Sequence, residues 1–271
     1  MSRPEVRDDV RLMSGYHSPQ LDVAVRLNTN EAPDAPPSAL TAALHEALDG
    51  IEWNRYPDRG AEALREGIAA FESTSVERVF VANGSNEVLQ TICLAYGGAG
   101  RTVLTHEPTY ALHSHIARVC GTGVVEGGLQ DDFTLDVASV ISSIRTVRPA
   151  VTFLCSPNNP TGRVEDESTV REVLAAVEAV DGLLVVDEAY GQFSPWSALS
   201  LVAEDRSVVV SRTYSKTWSA AALRLGYLIG PTWCVEELEK VVLPYHLDAL
   251  KQLAGILALD HLDEMRARVA R

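Results

Sequence analysis

Basic residues are scarce in this chain. Lys and Arg number 23 against 37 Asp and Glu, a formal charge of −14 over 271 residues. No Lys/Arg stripe stands out, so the cationic surface that a phosphate backbone requires is missing and nucleic acid is not an expected partner. Solubility is reason enough for the acidity, although a few local donors could still hold a small anionic substrate. Long apolar runs are also missing. Nothing approaches the ~20 residues of a membrane helix, and the polar opening MSRPEVRDDVRL has no apolar stretch of signal-peptide length. Cysteine is sparse: Cys93, Cys120, Cys155 and Cys234 show neither C-x-x-C spacing nor a histidine pairing of metal-site type. Most sit in apolar runs, as small core residues do in a reducing compartment. No low-complexity tract or fixed-period repeat is present. No G-x-G-x-x-G follows the first strand and there is no P-loop, which argues against a dinucleotide or nucleotide binder. These absences lead to the expectation of a soluble cytoplasmic protein without metal, membrane or nucleic acid.

What is present is ordinary for a globular chain, with 46% hydrophobic and 22% charged residues. The length suits one large domain, with or without an appendage. Pro4, Pro19, Pro33, Pro36 and Pro37 punctuate an irregular arm over 1–37. Leu40, Leu44 and Leu48 then form one stripe of a helix over Ser38–Leu48, and a second helix follows over Ala61–Phe71. The interval Phe71–Val79 is short for a passage from helix to strand. Beyond it, strand-like runs near Val79–Ala82, Thr102–Thr105, Gly123–Val125, Val151–Cys155, Leu183–Asp187, Val208–Ser211 and Gly226–Ile229 alternate with helical stretches at Glu87–Tyr96, Tyr110–Val119, Val137–Val147 and Glu167–Val180. This alternation predicts an α/β fold: a mostly parallel seven-stranded sheet sandwiched by helices, with 38–245 as the large domain. From His246 onward, Leu250, Leu253, Ala254 and Leu257 fall at helical spacing, with no Gly or Pro stop after Gly255. Two readings stand for 246–271: the start of a helix leading into a further domain, or a terminal helix with a frayed end.

Five strings carry the chemistry. Lys216 ends RTYSK, just after the run VVVS. A lysine desolvated there becomes a nucleophile and a base, though taken alone it reads better as a surface-loop lysine. Asp187 ends GLLVVD, at the carboxyl end of a central strand, where open α/β sheets bind ligands. Its bland alternative is a helix cap. Asn159 lies in SPNNPTG, whose prolines and glycine by themselves only require a turn. Gly84, Ser85 and Asn86 open a helix after VFVA and would make an anion cradle, or equally a plain cap. Arg224, placed at the start of a strand in LRLGYLIG, could join Ser85, Asn86, Thr213 and Ser215 around a phosphate dianion.

Taken in order, these strings resemble the fold-type I pyridoxal-phosphate aminotransferases and, within them, the histidinol-phosphate aminotransferase family. LNTNEAP at 27–33, YPD at 56–58, NGSNE at 83–87, EPTY at 107–110, CSPNNPTG at 155–162, VVDEAY at 185–190 and SRTYSK at 211–216 carry the resemblance, which covers nearly the whole chain from Tyr16. It implies pyridoxal 5'-phosphate as cofactor, with Lys216, Asp187 and Tyr190 as catalytic residues. Lys216 would hold the cofactor and move protons, Asp187 would pair with the pyridine nitrogen, and Tyr190 and Asn159 would bond the ring oxygen. Tyr110 would stack on the ring, while Gly84, Ser85, Asn86, Thr213, Ser215 and Arg224 would cradle the phosphate. Tyr56 would reach the phosphate of the partner subunit in a homodimer. The implied reaction is L-histidinol phosphate plus 2-oxoglutarate to imidazole acetol phosphate plus L-glutamate, in histidine biosynthesis. The alternatives are another fold-type I activity (aromatic aminotransferase, phosphothreonine decarboxylase or lyase) or a cofactor-binding fragment without turnover. Relatives continue into a small C-terminal domain whose arginine grips the substrate carboxylate. No arginine at a matching position is found here, so 246–271 is expected to lead toward a domain that is absent.

Overall fold

The computed structural model describes residues 3–19, 21–25 and 27–271. In chain order the elements are α1 (Asp8–Arg11), α2 (Ser38–Leu48), α3 (Glu62–Glu72), β1 (Val79–Ala82), α4 (Ser85–Tyr96), β2 (Thr102–Glu107), α5 (Leu112–Val119), β3 (Gly123–Gly128), α6 (Val137–Val147), β4 (Val151–Cys155), α7 (Glu167–Glu178), β5 (Leu183–Asp187), β6 (Val208–Thr213), β7 (Gly226–Ile229), α8 (Thr232–Val241), α9 (Ala249–Leu259) and α10 (Leu262–Val269). Local chemistry sets several boundaries. Asp136, Asp166 and Asp248 each accept a backbone N–H three residues on, capping α6, α7 and α9. Ser73, at φ 55°, closes α3 by donating back to its last turn, and a 3-10 turn over Val76–Arg78 feeds β1. That tight pair of turns accounts for the short interval after Phe71.

The seven strands lie in the order β1-β7-β6-β5-β4-β2-β3. The run from β3 to β6 is parallel, whereas β7 is antiparallel to both β6 and β1. β4, β5 and β6 are buried at every position, which is why they read as continuous apolar runs. Alternate side chains serve opposite faces. Phe153, Val185 and Val209 pack with Leu89, Ile92 and Leu238 of α4 and α8. Leu154, Val186 and Val210 pack with Ile144, Val173 and Val177 of α6 and α7. A third cluster joins Val79, Val81, Tyr227 and Ile229 to Leu64 and Ile68 of α3, and to Ala258 and Met265 of α9 and α10.

The structure departs from the sequence reading at a few points. α8 was not assigned from the sequence, although its buried Cys234, Val235 and Leu238 form an apolar stripe. The C-terminal stretch is two helices separated at Asp260–His261, not one, and they complete the third cluster. β2, β3 and β6 each run two or three residues beyond their expected ends. Among the described residues, no helix is long and apolar enough to cross a membrane.

Candidate active site

The register puts Cys155, Asp187 and Ser211 side by side on β4, β5 and β6. Just past this row opens a cavity of about 790 Å³. Its floor is the strand ends, one wall is the start of α4, and another is the arm segment 27–31. Of the residues singled out from the sequence, all but Gly84 and Tyr56 line it.

Asp187 is 1% exposed. Its Oδ1 accepts from the Ala189 N–H at 3.1 Å, and its Oδ2 lies 2.9 Å from Nε2 of His113. A carboxylate oxygen accepts, so this contact suits the His113 tautomer that carries its proton on Nε2. The His113 ring stacks on Phe153 at 4.7 Å and meets Tyr110 edge-on at 5.6 Å. The carboxylate is therefore held from behind by a buried donor. His113 was not singled out from the sequence, yet it lies three residues after Tyr110, on the same side of the turn that enters α5. That spacing was the available signal.

Lys216 faces the same space. Its Nζ donates to the carbonyls of Asn30 at 2.9 Å and Thr29 at 3.2 Å and lies 5.4 Å from the Tyr190 ring centroid. Burial holds its pKa below the ordinary lysine value, assisted by Arg224 and opposed by Glu31 and Asp187. The Tyr190 phenol is raised by burial and partly restored by a hydrogen bond from Asn30. The Tyr110 hydroxyl donates to Asn86 Oδ1 at 2.9 Å.

A further group of donors lines the same cavity. Ser85 and Asn86 open α4, whose first turn has no side-chain cap. Thr213 Oγ1 and Ser215 Oγ are 2.9 Å apart, and Arg224 Nη1 reaches Ser215 Oγ at 3.4 Å. Arg224 is not on a strand, as the sequence suggested. It follows a 3-10 turn at φ 53°, and this left-handed bend turns its guanidinium toward the start of α4. Gly84 stands behind that arginine rather than in the cavity. At φ 80°, a Cβ there would sit 2.8 Å from Arg224 Nη2. Gly226 is constrained in the same way, since a Cβ would meet the Ser85 nitrogen at 2.4 Å. Tyr56 lies outside the cavity, 80% exposed and stacked on Tyr245 at 4.6 Å. Arg268 and Arg271, to which sequence reading gave no role, line a neighbouring cavity of about 520 Å³ that shares Asn30, Tyr190 and Lys216. Their guanidinium groups bond the Ala35 carbonyl and Asp34.

The Lys216 amine, the buried Asp187 carboxylate, the Tyr190 hydroxyl, the Asn159 amide and a set of hydroxyl, guanidinium and helix-start N–H donors share one cavity, a donor set that fits a phosphorylated pyridine aldehyde. Residues 22–271 match the aminotransferase class I and II family. The chain belongs to that family. It is 44% identical to a histidinol-phosphate aminotransferase of Frankia casuarinae, over 97% of this chain and 70% of that protein. It is 42% identical to another from Thermobifida fusca, over 98% of this chain and 73% of that one. Among solved structures, the histidinol-phosphate aminotransferase of Sinorhizobium meliloti in complex with pyridoxal-5'-phosphate superimposes with a TM-score of 0.88 at 22% identity, covering 97% of this chain and 73% of that one. Family membership and fold thus agree with the geometry of the cavity.

Proposed function

We propose that the chain transfers the amino group of L-histidinol phosphate to 2-oxoglutarate, giving imidazole acetol phosphate and L-glutamate in cytoplasmic histidine biosynthesis. The observation that carries the reading is that a half-buried Lys216 amine, its pKa lowered by burial, and the fully buried Asp187 carboxylate line one cavity. Identity above 40% to histidinol-phosphate aminotransferases over nearly the whole chain supports this substrate pair. Pyridoxal 5'-phosphate, when bound, supplies an electron-withdrawing ring that stores the charge released at the substrate Cα.

The chain's own residues do the rest. Lys216 would hold the cofactor and, as the basic amine of the site, would take the substrate Cα proton and deliver it to the cofactor's former aldehyde carbon, a role its lowered pKa favours. Asp187, fixed by His113, offers a negative acceptor to the protonated pyridine nitrogen. Tyr190 and Asn159 would bond the ring oxygen, and Tyr110 would stack on the ring. Ser85, Asn86, Thr213, Ser215 and Arg224 hold the phosphate through the start of α4 and charge-assisted bonds. Exposed Tyr56 completes the phosphate site of a second subunit in a homodimer.

The test is spectroscopic and chemical. Protein mixed with pyridoxal phosphate should develop visible absorbance and make glutamate from histidinol phosphate and 2-oxoglutarate. Lys216→Ala should lose the lysine-linked band, and Asp187→Ala should keep the fold but lose about 10²–10³ in turnover. A band that persists in Lys216→Ala would remove Lys216 from the site. Turnover with other amino donors but not with histidinol phosphate would reassign the substrate.

A further inference from the structure

Asn30, within the string LNTNEAP, makes a two-ended tie. Its backbone carbonyl accepts from Lys216 Nζ at 2.9 Å. Its side-chain Nδ2 donates to the Tyr190 hydroxyl oxygen at 2.9 Å and reaches toward Asn159 Oδ1 at 3.5 Å. One arm residue therefore touches three groups from three different strand ends. Resting on the cofactor reading above, we propose that Asn30 is a positioning residue that acts through Tyr190. By donating to the phenol oxygen, it aims the Tyr190 proton at the ring oxygen of the bound cofactor.

The direction of the hydrogen bond sets this role. A phenol has one proton to give, and its oxygen can also accept. An amide N–H can only donate, so where Asn30 meets Tyr190 the phenol oxygen is the acceptor and its proton stays available for another partner. Accepting that bond also makes the phenol a better donor, which agrees with the direction in which Asn30 moves its acidity. The backbone explains the residue type. Asn30 sits at φ 50°, in the left-handed region, where asparagine is the side chain best tolerated after glycine. Asparagine thus supplies both the bend that brings its carbonyl to Lys216 and the amide that reaches Tyr190. The charged and titratable groups acting on Tyr190 and Lys216 are Asp187 from β5, Cys155 from β4, Glu31 from the arm, and Arg224 from the turn before β7.

This backbone conformation makes a clean experiment possible. Asn30→Gly keeps the left-handed bend and the carbonyl to Lys216 and removes only the amide. Asn30→Asp keeps the shape but presents an acceptor, which would draw the Tyr190 proton away from the cofactor. The readout is the pH midpoint of the visible absorbance of the protein loaded with pyridoxal phosphate, measured without substrate. With the ring oxygen less well served, proton loss from the loaded site becomes harder. The midpoint should rise by roughly half a pH unit in Asn30→Gly, as expected for loss of one modest hydrogen bond, and at least as far in Asn30→Asp. In a Tyr190→Phe background, Asn30→Gly should shift the midpoint no further, because the path runs through the phenol. Hydrogen exchange across 183–187 that matches the unsubstituted protein shows that the core is intact.

An unmoved midpoint in Asn30→Gly overturns the proposal, as does a shift of the same size with and without the Tyr190 hydroxyl. Failure of the unsubstituted chain to develop any visible band overturns the cofactor reading itself, and this inference with it. A normal band in the unsubstituted chain, unchanged in the variants, sinks only the role of Asn30.

Discussion

His106 shows how a single residue sets a pH response. It sits on β2, 6% exposed, with neither ring nitrogen paired. Its ring presses on β3, where a Cβ at Gly127 would meet it at 2.7 Å. Burial lowers its pKa from 6.5 to about 4. Between those values the unfolded chain binds a proton that the folded chain refuses. Stability from this site is therefore complete above about pH 6.5 and is lost as pH falls toward 4. The full loss is on the order of 3 kcal/mol. His106→Leu should flatten the fall in urea midpoint between pH 6.5 and 4, and an equally steep fall in the variant would place the titrating group elsewhere. At this scale, legibility in the sequence was uneven. Lys216, Asp187 and Asn159 announced themselves because each sits in a local string at a strand end. Asn30 and His113 did not, because what they do exists only through partners 160 and 74 residues away. His106 was likewise invisible: the string TVLTHE does not say that its histidine will be buried with the rest of the strand, against a glycine of the neighbouring one.

At the scale of elements, Arg212 binds the parts around the site together. Its Nη1 donates to both oxygens of Glu72 at the end of α3, at 2.8 and 2.9 Å, and its Nη2 donates to Glu188 just past β5 at 2.8 Å. Tyr227 of β7 also donates to Glu72, its phenol kept protonated by burial and by that carboxylate. Glu188 further accepts from the Ala198 N–H at 2.7 Å. One guanidinium on β6 thereby links α3 to the exit of β5, one residue from Asp187 and four from Lys216. All three charged side chains are at most 7% exposed, so removing the cation strands two carboxylates. Arg212→Met should cost about 3–5 kcal/mol in denaturant unfolding. Adding Glu72→Gln and Glu188→Gln should recover part of that loss, and a single variant as stable as the parent would show the network to be idle. The elements were the most legible level, since α2, α6, β1, β4, β5 and β7 fall on their sequence-derived bounds. The misplacement of Arg224 has a physical cause. Apolar flanks look like strand, but a left-handed turn, which no side-chain pattern signals, ends just there.

At the scale of the whole molecule, the strand order places β5 at the centre, and residues from Asn30 to Arg224 meet at one end of the sheet. Tyr56 is the exception. Together with Tyr245, Trp53 and Leu243 it is solvent-exposed, though these are among the largest apolar side chains of the described surface. An aromatic pair this exposed has a use if a second copy covers it and takes Tyr56 toward its own phosphate site. That arrangement can be tested by complementation. Lys216→Ala removes the amine from its own cavity, and in that arrangement Tyr56→Ala would remove the phenol from the partner's. Each homodimer then has only damaged sites. If Tyr56 acts across the interface, unfolding and refolding an equal mixture yields hybrids in which one cavity has both groups and the other neither, so roughly one site in four is restored. Cofactor retention after gel filtration and glutamate production should both recover to about that fraction. If Tyr56 instead serves its own chain, no hybrid contains an intact cavity and the mixture stays as inactive as its components. Sedimentation at the assay concentration distinguishes that outcome from a chain that does not pair, because a monomer would also fail to complement but would sediment at half the mass.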